Sequence, residues 1–476
     1  MILWFCLAIL VGLCAGYFQI KLDLAWLAFG VLAVAIARFR LAGLILVGFV
    51  FGSCRGAVVA QRITSYDSLI DSKVTLQAKA NEDAVYGKNG QLTFVAVDIT
   101  NLDTGEHLPG QVGVSGYGPA GIYQDDELII SGKLRGGIGS YQGFMSFAEL
   151  ELVQHHPSPI ADLRRKFGAG MLSSLPEPLA SFSMGLLIGQ RTTLPEDVKD
   201  NLQKISLTHI IAVSGANLTI MLNASRRLLG KRSKRLSTAL TLALMMGFVL
   251  MTGGSASIVR AAFVSSFSIA AAYYGRRMRT LLIICLVAAI TALINPIYIW
   301  SDASWYLSFL AFFGVLMVAP LFHSRLPKAF QTNIILAIAV ESLCAEIMSV
   351  PYILYTFGQM SLIGLLANIL VTSMIPYAML FGLFAGLAGT FLFPIAGWFS
   401  WPATLLLTYM LDTAQLLAGL PHIFIDNLWL TLSGVVVTYV VIAVMVGLLT
   451  FKDSRKSAII TDNEAINPYT NLGRMS

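Results

Sequence analysis

The sequence predicts a polytopic α-helical membrane protein with one small all-β insert outside the cytoplasm. Of its 476 residues, 56% are hydrophobic and only 12% are charged. A water-soluble fold cannot bury that much apolar surface, whereas each spanning helix needs about 20 apolar residues in a row. Many such runs are present, and one polar, strand-like stretch at 61–156 interrupts them.

Residues 1–60 form the predicted N-terminal membrane segment. It contains the apolar runs Ile2–Ile20, Leu24–Ala37 and Leu41–Ala60. No positive residue precedes the first run and further apolar runs follow at once. We therefore expect a retained membrane anchor rather than a cleaved signal peptide.

The insert at 61–156 contains five runs of strand-like composition: Lys73–Ala80, Leu92–Ile99, Gln111–Tyr117, Glu127–Leu134 and Phe147–Val153. Sequences typical of turns separate them, among them Gly87-Lys88-Asn89-Gly90. Five short strands suit a small closed barrel such as an OB-fold. The sequence therefore predicts an OB-like β-domain.

The charge of this insert limits what it can bind. It holds six Lys or Arg and twelve Asp or Glu, a net charge of −6, which is the wrong sign for a strong grip on phosphates. Nucleic acid bound here would have to stack its bases on aromatic side chains. The candidates are Tyr117, Tyr123, Tyr141 and Phe144, for which ordinary core and loop roles are the alternative interpretation.

Residues 157–206 are interpreted as an interfacial segment. The run Leu179–Arg191 is too short to cross a bilayer, so we expect it to lie flat in the interface or to be re-entrant. Thr193-Leu194-Pro195-Glu196 has the pattern of a capping box. It opens a predicted amphipathic helix along the membrane surface, with the apolar residues Leu194, Val198, Leu202 and Ile205 on one face.

The remaining apolar runs lie at 207–450 and a polar tail follows at 451–476. Lys and Arg in short loops mark the cytoplasmic side. Basic clusters occur at 226–235, 276–279, 325–328 and 452–456. All four clusters lie on the same side of the membrane if Leu362–Pro394 crosses the bilayer once as an interrupted helix. This assignment puts the C-terminal tail in the cytoplasm and the β-domain outside it.

The first group of polar residues inside an apolar run is His209, Ser214 and Asn217. His209 and Asn217 would differ by about 80° around a continuous helix, so both could face one lumen. Ser214-Gly215 is a plausible helix break, with Ser214 capping a second half-helix whose free N–H groups favour an anion. The alternative is a hydrogen-bonded core histidine beside a close-packed glycine.

The second group is Gly253-Gly254-Ser255-Ala256-Ser257-Ile258-Val259-Arg260. An arginine within a span is costly, which makes it informative. With Ser257 beside it, Arg260 indicates a phosphate-like ligand. In the alternative interpretation the glycines form an outer turn and the arginine reaches the lipid headgroups. Ser308 and Asn368 are weaker candidates, and Asp302 is interpreted as a helix cap.

Other chemistry is not indicated. The sequence has no P-loop, and its six histidines form no HxH or HExxH motif. We therefore expect no metal site, no cofactor and no catalytic residue.

Taken together, these motifs resemble the ComEC-type competence proteins. The resemblance rests on Leu187-Ile188-Gly189-Gln190-Arg191, on Thr208 to Gly215, and on Gly254 to Ala261. Leu307-Ser308-Phe309 and Ala367-Asn368 are similar to later helices of that family. The sequence departs from the family at Asn217, where members often have histidine, so a strict role for an imidazole there is in doubt.

The resemblance implies a channel in the bacterial cytoplasmic membrane that passes single-stranded DNA during natural transformation. It implies contact with membrane lipid, with a DNA receptor outside the membrane, and with a motor or single-strand-binding proteins inside. Many members end in a metallo-β-lactamase-like domain. This sequence stops soon after its last apolar run, so a separate nuclease is expected to degrade the other strand.

Two other functions remain open from the residues alone. A transporter of a small anionic solute would use the same broken helices and basic hairpins. An intramembrane hydrolase would need Ser214 and His209 together, but on a continuous helix these diverge by about 140°.

Overall fold

A computed structural model describes residues 1–18, 25–35, 37–86, 90–119, 121–137, 139, 141–156, 158–190, 194–211, 214–229, 233–276, 279–327, 333–392 and 395–466. The fold is mostly helical, with one small β-region between the third and fourth helices. The expected turn at 87–89 and Arg191 lie outside the described residues.

The chain begins with helices α1 (Ile2–Tyr17), α2 (Ala25–Ala35) and α3 (Arg40–Ile63). Glycines allow α1 and α3 to approach closely. A Cβ at Gly12 would lie 2.2 Å from Phe49 O, and one at Gly52 would lie 2.4 Å from Ile9 O. Small residues at a crossing are how apolar helices pack when lipid competes for their side chains.

The β-domain contains β1 (Lys73–Ala80), β2 (Val85–Tyr86), β3 (Leu92–Asn101), β4 (His107–Leu108), β5 (Val112–Tyr117), β6 (Glu127–Gly136) and β7 (Gly143–Gln154). The first predicted strand is confirmed residue for residue. The last begins four residues before its predicted start at Phe147, because Gly143 and Phe144 already pair with β5.

The strand pairings run in a closed circuit. β1 is antiparallel to both β3 and β6, β3 is antiparallel to β5, β5 is parallel to β7, and β7 is antiparallel to β6. Alternating side chains of these strands fill one apolar core, in which Ile99, Leu128 and Ile130 are completely buried.

The segment after the β-domain corrects two expectations. It contains α4 (Pro159–Ser174), α5 (Leu179–Ile188) and α6 (Glu196–Lys204). All ten residues of α5 are buried inside the protein, so the alternative in which it lies flat against lipid is wrong, while burial by protein is compatible with the re-entrant alternative. The helix is too short to cross a bilayer, and it is surrounded by protein on all sides.

Helix α6 is amphipathic as predicted, but its apolar face contacts protein. Leu194, Leu202 and Ile205 are buried in the largest apolar core of the molecule. The expectation of a helix lying on lipid is therefore wrong. The helix begins at Glu196 after Pro195, with no side-chain cap, and Thr193 lies outside the described residues.

The second membrane region contains α7 (Thr208–Ile211), α8 (Gly215–Leu229), α9 (Lys234–Met251), α10 (Ala256–Tyr273), α11 (Thr280–Ile294), α12 (Ile297–Ser301) and α13 (Ala303–Phe313). A π-helical stretch at Gly314–Val318 joins α13 to α14 (Ala319–His323). The remaining helices are α15 (Ile334–Thr356), α16 (Gly364–Val371), α17 (Ile375–Phe391), α18 (Ala396–Ala418) and α19 (Leu432–Ile466). A short hairpin pairs β8 (Met360–Ser361) with β9 (Phe424–Ile425).

Within the described residues, seven helical stretches are long and apolar enough to cross a membrane. They are Arg40–Tyr66, Lys234–Met251, Ala256–Tyr273, Ala303–His323, Leu336–Thr356, Gly364–Phe391 and Leu432–Thr450. The protein is therefore a multi-pass membrane protein. Gly364–Phe391 contains a short 3₁₀ turn at Thr372–Met374, which corresponds to the interruption predicted within Leu362–Pro394.

Candidate functional site

The helix break predicted at Ser214-Gly215 is present. Helix α7 ends at Ile211 and α8 begins at Gly215, and residues 212 and 213 lie outside the described part of the chain. Ser214 directly precedes α8, and its carbonyl oxygen accepts hydrogen bonds from the N–H groups of Asn217 at 3.1 Å and Leu218 at 3.4 Å. Ser214 thus stands at the N-cap position.

The side chains at this break hold α8 against α5. The Ser214 hydroxyl donates to Asn217 Oδ1 at 3.3 Å, and Asn217 Nδ2 donates to the carbonyl oxygen of Leu186 at 3.1 Å. Asn217 is only 1% exposed. A buried amide must find partners inside the protein, and the α5 carbonyl is one of them.

Arg260 is a buried cation inside the membrane region. It lies in the second turn of α10 and is 1% exposed, so the alternative in which it reaches lipid headgroups is wrong. Its Nη2 donates to the carbonyl oxygen of Ser304 at 3.1 Å and to Ser304 Oγ at 3.2 Å. Its Nε and Nη1 groups are buried without a hydrogen-bond partner among the described residues. Each unmet donor costs about 1–3 kcal/mol, and more when the group is charged.

Asp302 stands next to this arginine. Its Oδ1 accepts from the Ser304 N–H at 2.9 Å, which confirms the predicted cap at the start of α13. Burial raises the pKa of the Asp302 carboxyl, while the nearby Arg260 guanidinium partly opposes that shift. The two groups interact through space without a direct ion pair among the described side chains.

The start of α8 packs against α10 at the residue that follows Arg260. A Cβ at Gly215 would lie 3.0 Å from the Ala261 Cβ and 3.4 Å from the Phe312 ring, so α8 touches α10 immediately beside Arg260. We call Ser214, Asn217, Arg260, Asp302 and Ser304 the polar cluster. Within it, Ser214 and Asn217 already donate to protein acceptors and Asp302 carries a carboxylate, so the unpartnered N–H groups of Arg260 are the donors left for an anion.

A model of the competence protein family matches residues 186–452, which include the whole polar cluster. The chain belongs to the competence protein family. ComE operon protein 3 of Bacillus subtilis (strain 168) is 28% identical over 230 residues, or 48% of this chain. That match spans 29% of the relative's own length. No solved structure matches the chain.

The other membrane-region site residues that the sequence predicted lie outside the polar cluster. His209 is exposed, and its Nδ1–H donates to the carbonyl oxygen of Ser206 at 3.1 Å. Asn368 is 9% exposed on α16 and accepts from the Thr372 hydroxyl at 3.1 Å. Ser257 and Ser308 are half-buried. Ser257 lies on α10 three residues before Arg260, and Ser308 lies on α13 four residues after Ser304.

The aromatic candidates of the β-domain do not form one surface. Tyr117 ends β5, while Tyr141 and Phe144 contact each other near the start of β7, which runs parallel to β5. Tyr117 pairs with Glu149 in that register, at the opposite end from Phe144. Tyr123 lies in the β5–β6 connection, where the Arg165 guanidinium covers one ring face at 4.1 Å from its centroid.

Sequence reasoning missed Ser304, the residue that holds Arg260. The signal that could have found it is its position two residues after the predicted cap Asp302 and one helical turn before Ser308. It also missed Arg164, which donates to Gln124 Oε1 at 3.0 Å and to the Leu250 carbonyl at 3.3 Å. Through Arg164, the β-domain is bonded to the C-terminal end of α9.

Proposed function

We propose that this protein is a channel that carries single-stranded DNA across the bacterial cytoplasmic membrane during natural transformation. Membership of the competence family supports a role in DNA uptake. The observation that carries the channel hypothesis is Arg260, a buried cation in the second turn of the candidate span Ala256–Tyr273, whose guanidinium has two donors to spare. A passing phosphate would satisfy both of those donors.

The broken helix next to Arg260 supports the same interpretation. Non-helical backbone at membrane depth is tolerated where protein or a water-filled passage surrounds it. The Ser304 end of α13 contacts Arg260 directly, and the start of α8 contacts Ala261, the next residue of α10. Phosphates passing this point would meet the Arg260 guanidinium and the Ser304 hydroxyl, which bind phosphate without reading base sequence, beside the Asp302 carboxylate.

The charge of the chain supports a polyanion rather than a neutral solute. From Asn201 to Ser301 there are eleven Lys or Arg and no Asp or Glu. The β-domain carries the opposite charge of −6. We infer that the membrane region supplies the attraction for DNA and that the β-domain supports or guides the strand.

We infer an OB-like barrel for the β-domain from the closed circuit of its strand pairings. We place it outside the cytoplasm and the C-terminal tail inside, following the basic loops. In this arrangement a DNA receptor meets the protein on the β-domain side. A motor or single-strand-binding proteins take up the strand on the other side.

We propose no enzymatic step. The Ser214 hydroxyl donates to Asn217 and the His209 ring donates to Ser206, so neither activates the other in this geometry. A transporter of a small anion remains the alternative, and Arg260 would serve it as well. Loss of transformation with normal growth in a deletion strain would favour DNA over a nutrient anion.

The test is transformation frequency in strains that carry Arg260→Glu, Arg260→Lys or Arg40→Gln at matched membrane levels. Arg260→Glu repels a phosphate and should abolish uptake. Arg260→Lys keeps the charge without the bidentate fork and should retain part of it. Arg40→Gln removes an exposed cation far from the polar cluster in sequence and should have little effect. Normal transformation by the glutamate variant would refute the proposal.

A further inference from the structure

Two grooves flank α10 near its C-terminal end. The larger, about 680 Å³, opens between α9 and α10, and the smaller, about 280 Å³, opens between α10 and α11. Ligand sites typically have volumes of about 300–1,000 Å³, a range that includes the larger groove. Both grooves lie along helices that are long or apolar enough to belong to the membrane region.

The walls of the larger groove are mainly apolar. On α9 it is lined by Arg235, Thr238, Ala239 and Leu242, which share one helix face. From Arg235 to Leu242 the helix rises about 10 Å, which is most of the depth of one leaflet of a bilayer. A groove of this length and character fits an acyl chain.

Each groove has an arginine at the same end of the helix bundle. Arg235 lines the larger groove and Arg276 the smaller one. Neither has a hydrogen-bond or ion-pair partner through its side chain in the described part of the chain. Lys234 adds a further charge, with its Nζ 5.2 Å from the centroid of the Tyr273 ring that also lines the larger groove.

The surrounding sequence leaves these cations without acidic neighbours along the chain, since no Asp or Glu occurs between Asn201 and Ser301. Tyr273 and Tyr274 stand at the same end, and tyrosine is typical of the level of the lipid headgroups. Basic pockets between spanning helices bind anionic headgroups. The charge at this end therefore complements a phosphodiester, while the groove below it complements hydrocarbon.

We propose that these two grooves are binding sites for an anionic phospholipid. An acyl chain lies in each groove, and the headgroup phosphate contacts Arg235 in the larger site and Arg276 in the smaller one. Bound lipid would fill the space between α9, α10 and α11, and so would support α10, the helix that carries Arg260.

The experiment uses the full-length protein reconstituted in vesicles with equal amounts of phosphatidylglycerol and phosphatidylcholine. Lipids that remain bound after mild extraction are counted by native mass spectrometry. Wild-type protein should retain phosphatidylglycerol in preference to phosphatidylcholine. Arg235→Gln should weaken that retention about fivefold, since one cation near a charged headgroup contributes that much. Arg40→Gln is the matched charge control and should leave retention unchanged.

A second pair of variants tests the groove itself. Ala239→Trp puts a large ring into the groove, while Ala243→Trp puts the same ring one turn along α9 on a residue outside its lining. Only Ala239→Trp should displace phosphatidylglycerol. Equal retention of both lipids by the wild-type protein would overturn the proposal. So would equal retention of phosphatidylglycerol by Arg235→Gln and Arg40→Gln. So would a dimer that Ala239→Trp dissociates, because a second copy would then occupy the groove.

Discussion

A charged pair of the β-domain and a cation of the membrane region are placed in opposite ways. In the β-domain, Lys79 and Asp98 pair at 2.6 Å on the surface, with side chains 42% and 52% exposed. In the membrane region, Arg260 is buried and is held by the backbone and hydroxyl of Ser304. Surface pairs contribute little to stability, whereas a buried unpaired cation is costly. A charge that a protein keeps at such a cost is the better guide to function.

The two regions also differ in where their apolar residues go. In the β-domain they point inward, and Ile130 has no exposed surface. In the membrane region many point outward, and Val441 on α19 is 59% exposed. The hydrophobic effect explains both, since lipid takes the place of a protein core around the outer helices.

The largest effect on stability should come from the β-domain core. Ile130→Ala removes a completely buried side chain and should destabilise the domain by about 2–5 kcal/mol. Val441→Ala removes an outward-facing side chain and should change stability by less than about 0.5 kcal/mol. Protease resistance in membranes, measured against urea concentration, gives both values. Similar urea midpoints for Ile130→Ala and Val441→Ala would show that a buried side chain of the β-domain and an outward-facing one of the membrane region contribute equally to stability.

Local sequence patterns predicted the β-domain well because strand alternation and turn residues act over short distances. β1 matches its predicted limits because its inward and outward residues alternate without interruption. The polar cluster was only partly predictable. A cation in a span indicated Arg260, but Ser304 lies 44 residues further along the chain, and helix packing alone brings them together.

Helix α5 shows a second limit of sequence reasoning. A short apolar run has the same composition whether lipid or protein surrounds it. Its complete burial depends on its neighbour α4 and on α17 and α18, which lie about 200 residues further along the chain.

An intermediate effect is expected at the contact between α10 and α13. Ser304→Ala removes one acceptor of the Arg260 guanidinium and leaves the carbonyl oxygen in place. A hydrogen bond to a charged group contributes about 1.5–3 kcal/mol, so transformation should fall about tenfold or more. Ser308→Ala, one turn along the same helix face, is the matched control. A larger loss of transformation from Ser308→Ala than from Ser304→Ala would indicate that the DNA path runs past Ser308 and not past Ser304.

The smallest effect is expected at the exposed pair in the β-domain. The hydrogen bond from Lys79 lowers the pKa of Asp98 below its usual 3.8 and raises that of Lys79 above its usual 10.5. Any stabilisation by the pair is therefore present when the pH lies between the pKa of Asp98 and the pKa of Lys79. It is lost when acid protonates Asp98 or when base deprotonates Lys79.

Lys79→Gln should accordingly leave the urea midpoint of the β-domain nearly unchanged at neutral pH. Whatever small difference from wild type exists should stay constant near neutral pH and shrink as the pH falls below 3.8 through the lowered pKa of Asp98. A difference that grows in acid would show that Lys79 acts through contacts other than its ion pair.

The central claim, that a single DNA strand passes the buried arginine, is tested most directly with the purified full-length protein in vesicles. The vesicles hold a single-strand-binding protein inside, and labelled DNA that is protected from external nuclease is measured. Wild-type vesicles should protect single-stranded DNA but not a duplex of equal length, and vesicles with Arg260→Glu should protect neither. Equal protection of the duplex, or undiminished protection by the Arg260→Glu protein, would contradict the account.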